Sequence, residues 1–190
     1  FADDVTQKLA VSYLESGNSG RAAGEFERIA NAPTSSESVR REALWQAADL
    51  YEKANDMSAE QRVLDRIVVA YPSPLSESIE ARYRLLEIAE ASGSYEARMA
   101  RLQELVDADA SAGAERSDRT RYLAATASIE LAEPVRQKFE VYMLSQPLAD
   151  SMKVKRKLMQ DTIDAYTTAA DYGVAEVTTA ATYRLGEVYQ

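Results

Sequence analysis

The 190 residues include no cysteine and no histidine, so the chemistry open to this chain is that of carboxylates, hydroxyls, ammonium and guanidinium groups. Thiolate and imidazole nucleophiles, imidazole bases and the usual zinc ligands are excluded. Four stretches place the remaining groups at spacings that deserve a chemical reading. Asp107, Asp109, Ser111, Glu115 and Asp118 stand at positions 1, 3, 5, 9 and 12 of a calcium-loop-like frame. Two departures weigh against calcium: Gly113 falls at position 7 where such a loop needs glycine at 6, and Asp118 replaces the bidentate glutamate. The competing reading, an acidic solvated connector, is the one these departures favour.

The segment GNSGRAAG at 17 to 24 gathers three glycines near a helix start. It lacks the Gly-Lys-Ser/Thr ending of a phosphate loop and no strand precedes it, so it reads as a turn. Glu25 and Glu27 lie two apart on a helix and cannot converge on one substrate, whereas Glu87 and Glu90 share a face as carboxylates on acidic helices do. Two-acid glycosidase chemistry has no pocket-forming architecture behind it here. MKVKRKLM at 152 to 159 brings Lys153, Lys155, Arg156 and Lys157 together in an acidic chain. That run suits an acidic partner or an anionic lipid head group, or else is the solvated face of a helix, the commoner case. No catalytic residue, cofactor or metal set is assigned, and the chain is expected not to be an enzyme.

A formal charge of -9 and a pI near 4.7 disfavour nucleic acid, because a protein that tracks phosphates needs a basic face to release counterions. No apolar run approaches the ~20 residues that span a bilayer, and FADDVTQKLA lacks a basic region followed by an apolar core. The expectation is a mature or excised soluble segment without direct membrane insertion. Helical periodicity in AATYRLGEVYQ continues to Gln190 without a stop signal, as in a fragment of a longer repeat protein. The missing cysteines suit an oxidising envelope compartment and a reducing cytosol equally.

The elements that position these groups are helical throughout. Tyr13, Tyr51 and Ala89 align at intervals of 38 residues. In each unit an amphipathic helix leads to that mark, a polar break follows, and a second amphipathic helix closes the unit. The breaks are SGNSG, NDMS and SGS; between units the chain reads NAPTSSES and YPSPLSES, where Pro33, Pro72 and Pro74 end one helix and serines cap the next. The apolar stripes run through Leu9, Tyr13, Phe26 and Ile29, then Leu44, Ala48, Tyr51, Leu64 and Ile67, then Leu85, Ile88, Ala89, Leu102 and Leu105. A lone hairpin cannot bury such stripes, so neighbouring units must stack. Ala10, Ala22, Ala47, Ala48 and Ala81 permit close approach of helix axes. No strand is predicted.

Leu9, Ala10, Tyr13, Gly17, Ala22, Phe26 and Ile29, repeated as Ala47, Ala48, Tyr51, Leu64, Ile67 and Pro72, resemble the tetratricopeptide repeat (TPR) family. The match is looser at Leu85, Leu86, Ala89 and Gly93 and returns with Leu185, Gly186 and Tyr189 in YRLGEVY. The resemblance implies an all-α, right-handed superhelical solenoid of antiparallel helix pairs. Residues 1–110 are then three TPR-like hairpins, 111–175 divergent or extended hairpins, and 176–190 the first helix of a further repeat. In the divergent part, an Ala-rich helix is predicted from about Thr120 to Glu133. Pro134 starts the next, which ends near Gln146, and a longer helix from about Asp150 to Tyr172 is stopped by Gly173.

In proteins of this family one face of each first helix lines a concave groove. Carried over, that face comprises Asp4, Gln7, Lys8, Val11, Leu14 and Glu15; Glu42, Trp45, Gln46, Asp49, Glu52 and Lys53; and Glu80, Tyr83, Arg84, Glu87, Glu90 and Ala91. Eight acids stand against three bases, with Trp45 and Tyr83 among them. The resemblance therefore implies a protein partner, basic or extended, steered by Asp49, Glu52, Glu87 and Glu90 and anchored on Trp45 and Tyr83. The alternative is that these acids only keep an exposed face soluble.

The expected role is a scaffold or adaptor in a multiprotein assembly. Similarity of the YP-S-P units and YRLGEVY to repeats of bacterial envelope proteins points to the periplasm or cell envelope; otherwise the chain is cytoplasmic. Two rivals are the helical superstructure domain of a larger cell-wall-active enzyme and a self-assembling homo-oligomer.

Overall fold

A computed structural model describes residues 2–189, with the side chains of 2–5 and 7 left aside. Among the described residues there are nine α-helices and no strand. The chain divides into two compact units, Phe1–Ser92 and Gly93–Gln190.

The first unit holds α1 (Ala2–Glu15), α2 (Ser19–Asn31), α3 (Glu37–Lys53), α4 (Met57–Ala70) and α5 (Leu75–Ser92). Each helix packs on the next in sequence. Three-residue turns fold α2 back on α1 and α4 back on α3, and both turns have the same chemistry. Gly17 and Asn55 adopt left-handed backbone with φ of 74° and 54°. The residue after each, Asn18 or Asp56, caps the new helix by accepting from the backbone N–H of Arg21 or Ala59 at 3.2 and 3.0 Å. The backbone N–H groups of Asn18 and Asp56 donate to the carbonyls of Tyr13 and Tyr51 at 2.8 and 2.9 Å.

A shorter turn with the same left-handed residue and cap opens the second unit: Gly93 has φ of 70°, and Ser94 caps its helix through Ala97 N–H at 3.3 Å. The 38-residue interval read from Tyr13, Tyr51 and Ala89 is thus kept, turn by turn, at 17, 55 and 93.

Ala22, Ala23, Ile29, Ala43, Leu44, Ala47, Ala48, Tyr51, Val63, Leu64, Ile67, Ala81 and Leu85 form one core cluster in this unit, with Tyr13, Phe26 and Trp45 packed against it. These are the expected stripes and the expected small contacts. The alanines keep the helices close, and the large residues fill the space between them.

The second unit holds α6 (Tyr95–Ala110), α7 (Asp118–Val141), α8 (Leu148–Ala170) and α9 (Ala175–Val188). α7 packs on α6, α8 and α9, and α8 packs on α9. Ser117 and Thr120 form a reciprocal capping box at the start of α7. Tyr166, fully buried, sits with Ala132 and Ala181.

Two boundaries differ from expectation here. Pro134 lies inside a continuous α7 instead of starting a new helix. Its missing N–H leaves the Glu130 carbonyl without its usual intrahelical donor, but packing of α7 against three other helices outweighs that loss. Asp107 and Asp109 belong to α6, which runs on to Ala110, so the acidic stretch is half helix and half connector. α8 and its stop at Gly173, with φ of 68°, follow the expected bounds closely.

Candidate functional site

The face of interest is carried by α3 and α5, two helices of the first unit. Trp45, Asp49 and Glu52 occupy one face of α3 at i, i+4 and i+7, and Tyr83, Glu87 and Glu90 repeat that pattern 38 residues later on α5. The two helices are joined directly by ion pairs: Arg41 to Glu77 at 3.4 Å, and Arg84 to Asp49 and Glu52 at 2.7 and 3.1 Å. Of the expected site residues, Asp49 and Glu52 are thereby tied to Arg84 of the neighbouring repeat.

Trp45 is half-buried. It packs against the core cluster and lines a cleft of about 360 Å³ with Ser38, Arg41, Glu42, Gln46 and Glu77. An adjoining cleft of about 410 Å³ is lined by Phe26, Ile29, Ser38, Val39, Glu42, Ala43 and Gln46. Further along, Glu52, Glu87 and Ile88 border a cleft of about 320 Å³ with Met57, Glu60 and Arg84. Tyr83 is half-buried, whereas Glu87 and Glu90 are exposed. Asp4 and Gln7, expected on the same face of α1, lie outside the described side chains; Lys8, Val11, Leu14 and Glu15 are exposed.

The electrostatics of this face hinge on Arg84, whose role the sequence did not disclose. Its guanidinium reaches Asp49 and Glu52 on α3 and Glu60 on α4, the last at 2.6 Å. Burial works against the charged guanidinium, but the carboxylates more than compensate and hold its pKa above the ordinary value. Asp49 and Glu52 are thus bound to a cation of their own chain. The acidic character of the face rests more on Glu42 and Glu87, both exposed.

A second network braces the same unit across α2, α3 and α4. Glu27 on α2 accepts from the Tyr51 hydroxyl at 2.7 Å and from both terminal nitrogens of Arg62 on α4 at 2.6 and 2.8 Å. The Arg62 hydrogen bonds pull the Glu27 carboxyl below its usual range against the effect of burial, with Tyr51 adding to the pull. Burial, together with the bond to Glu27, pushes the Tyr51 phenol up to about 12. Glu25 is also engaged, by Arg28 at 3.1 Å. Of these two neighbouring carboxylates, Glu27 ties α2 to α3 and α4, while Glu25 pairs within its own helix.

The acidic stretch in the second unit is likewise taken. Asp109, its side chain 1% exposed, accepts from Arg116 Nε at 2.9 Å and from the Thr120 hydroxyl at 2.7 Å. Arg116 in turn lies 5.7 Å from the Tyr172 ring centre. A calcium loop would turn its first carboxylates toward one point, whereas here one of them fastens α6 to the start of α7. Among the described residues no group of three or more acidic side chains is arranged to hold a metal ion.

The basic run is partly structural as well. Lys155 donates to the carbonyls of Phe139 and Tyr142, the latter at 3.0 Å, and its ammonium sits over the Phe139 ring. Lys153 and Lys157 pair with Asp150 and Asp161 of their own helix.

Within each unit successive helices pack in order, and a left-handed turn recurs at 38 residues, so the described residues form an all-α fold consistent with a helical repeat. No protein-family model matches the chain, and comparison with curated proteins finds no significant match. No helix among the described residues is long and apolar enough to cross a membrane.

Proposed function

We propose that this chain is a non-enzymatic protein-binding scaffold of TPR type, a right-handed solenoid whose groove face on α3 and α5 receives an extended segment of a partner protein. The observation that carries this reading is the position of Trp45. It is the single tryptophan, it is packed from behind by the core, and it opens on a cleft edged by Glu42 and Glu77. A rigid aromatic with one side in the core and the other in a cleft loses little entropy on binding, which is the usual make-up of a hot spot.

The ligand chemistry follows from the charges along the face. Carboxylates at Glu42 and Glu87 favour basic residues in the partner, while Arg84 is already tied to three carboxylates of its own chain. An extended segment with basic residues flanking an apolar one suits this order. The bacterial cell envelope, on its periplasmic side, is the setting proposed for it, on the likeness of its repeats to envelope proteins.

Because tryptophan occurs once, its fluorescence reports on this face alone. Titration with extended peptides carrying lysines or arginines around an aliphatic residue should shift Trp45 emission, and Tyr83→Ala should weaken that response about tenfold. An emission spectrum indifferent to every such peptide, and affinity capture from the native organism unaltered by Trp45→Ala with Tyr83→Ala, would remove the reading.

A further inference from the structure

The tip of the α7–α8 hairpin inverts the usual distribution of side chains. Polar groups turn inward: Ser151, only 5% exposed, accepts from the backbone N–H of Ser145 at 2.9 Å and meets the Tyr142 hydroxyl at 3.3 Å. Lys155 folds over Phe139 and donates to the last carbonyls of α7. Apolar groups turn outward: Val141 and Met143 are 75% and 80% exposed, and Leu144, Leu148 and Met152 are exposed beside them. The loop is tied down from within, so this apolar display is a held arrangement and not a slack connection.

α7 and α8 are also the longest helices described, at 24 and 23 residues. Side-chain contacts that tie α7 to α6 and α9 include Thr120 to Asp109, Arg98 to Glu130 and Arg184 to Glu133, all ahead of Pro134. Beyond that point α8 accompanies α7 to the tip.

Charge names the occupant. From Pro134 to Gln160 the chain has six basic and two acidic residues, whereas the rest has sixteen basic against twenty-nine acidic. Lys138, Lys153 and Arg156 are exposed close to the apolar tip. An apolar cap ringed by cations, on a chain otherwise acidic, complements a surface that is anionic outside and hydrocarbon within. We infer that the α7–α8 tip seats in an anionic lipid bilayer, with Val141, Met143, Leu144 and Leu148 at the acyl boundary and Lys138, Lys153 and Arg156 at the head groups. This is peripheral seating of a hairpin end, not a span, and it is independent of what α3 and α5 hold.

The test uses the 190-residue chain and vesicles of phosphatidylglycerol and phosphatidylcholine in equal parts, against phosphatidylcholine alone. Co-sedimentation should occur with the anionic vesicles, weaken at high salt, and fall about tenfold in Met143→Asp with Leu144→Asp, both changes at exposed positions. A polarity-sensitive dye on Met143→Cys, unique because the chain has no cysteine, should shift to the blue on those vesicles. Should the double aspartate variant lose helicity, Lys153→Glu with Arg156→Glu must reproduce the drop in binding. Absence of co-sedimentation, binding unmoved by both variant pairs, or capture by polyglutamate without a dye shift on vesicles would each overturn the inference, the last in favour of an acidic protein.

Discussion

Arg84 of α5 donates to Glu60 of α4 across 2.6 Å, and Glu60 has only 6% of its side chain exposed. A carboxylate that deep is tolerable because the guanidinium is there, and the two were separated by 24 residues until the helices stacked. Removal of Arg84 alone should therefore be costly. Arg84→Ala is expected to destabilise the first unit by about 3 kcal/mol in urea denaturation followed by Trp45 fluorescence. Arg84→Met combined with Glu60→Leu should restore most of that loss, since neither charge is then left buried. A double variant as weak as the single one would show that the pair does more than neutralise itself.

Stability in acid should follow Glu27. Its carboxyl is held below the ordinary 4.5 chiefly by Arg62, so the folded state binds fewer protons than the unfolded one just below that pH. The contribution is complete above the ordinary value and disappears as pH falls through the lowered one. Glu27→Gln should flatten this part of the denaturation profile and lower stability at neutral pH by about 1 to 2 kcal/mol.

At the alkaline end the sign reverses. Tyr51 and Tyr166 both have phenols pushed up to about 12, first by burial and then by hydrogen bonds to Glu27 and Glu133. Unfolding frees each to ionise near 10, so their contribution is intact below that pH and is lost as pH rises from 10 toward 12. Ultraviolet titration should show late-ionising phenols that diminish in Tyr51→Phe and again in Tyr166→Phe. Ionisation of all eleven tyrosines together near 10 would contradict the two bonds.

The repeated turn makes a matched set of predictions. Asn18→Ala, Asp56→Ala and Ser94→Ala each remove a helix cap and should each cost about 1 kcal/mol. Asn55→Gly should be neutral or stabilising because its φ of 54° is left-handed, whereas Asn55→Ala should lose about 1 kcal/mol, both read from thermal unfolding. Equal effects of glycine and alanine at 55 would argue against the left-handed turn.

Asp109 offers a check on the acidic connector. Asp109→Ala takes the carboxylate from Arg116 and leaves Thr120 only the Ser117 carbonyl as acceptor, and should destabilise the second unit by about 2 to 3 kcal/mol. Calcium added to the unaltered chain should produce no heat in calorimetry and no shift in unfolding temperature. A saturable calcium signal would mean that Asp109 can leave Arg116.

What was legible in the sequence was whatever is written locally. Gly17, Asn55 and Gly93 precede cap residues in short polar breaks, so period and hairpin turns could be read without coordinates. The recurrence of Trp45, Asp49 and Glu52 as Tyr83, Glu87 and Glu90 followed from that period. What escaped was written at a distance. Arg84 counted as one base on a groove face, because nothing in its neighbours says that Glu60 and Asp49, 24 and 35 residues away, will close on it. Pro134 looked like a helix start for the opposite reason: local rules disfavour it inside a helix, and tertiary packing of α7 prevails. Met143 and Leu144 were expected inside a helix ending near Gln146, but α7 stops at Val141 and leaves them exposed in the connection, with Ser151 and Lys155 facing inward.

A junction that is chemically the same at 17 and 55 makes the length of the first unit an adjustable quantity. Any block cut from one left-handed residue to the next can be duplicated or excised with both new joints already in working order. Growth by whole cassettes leaves each neighbour meeting the partner it met before, so such a protein changes its reach without having to be redesigned.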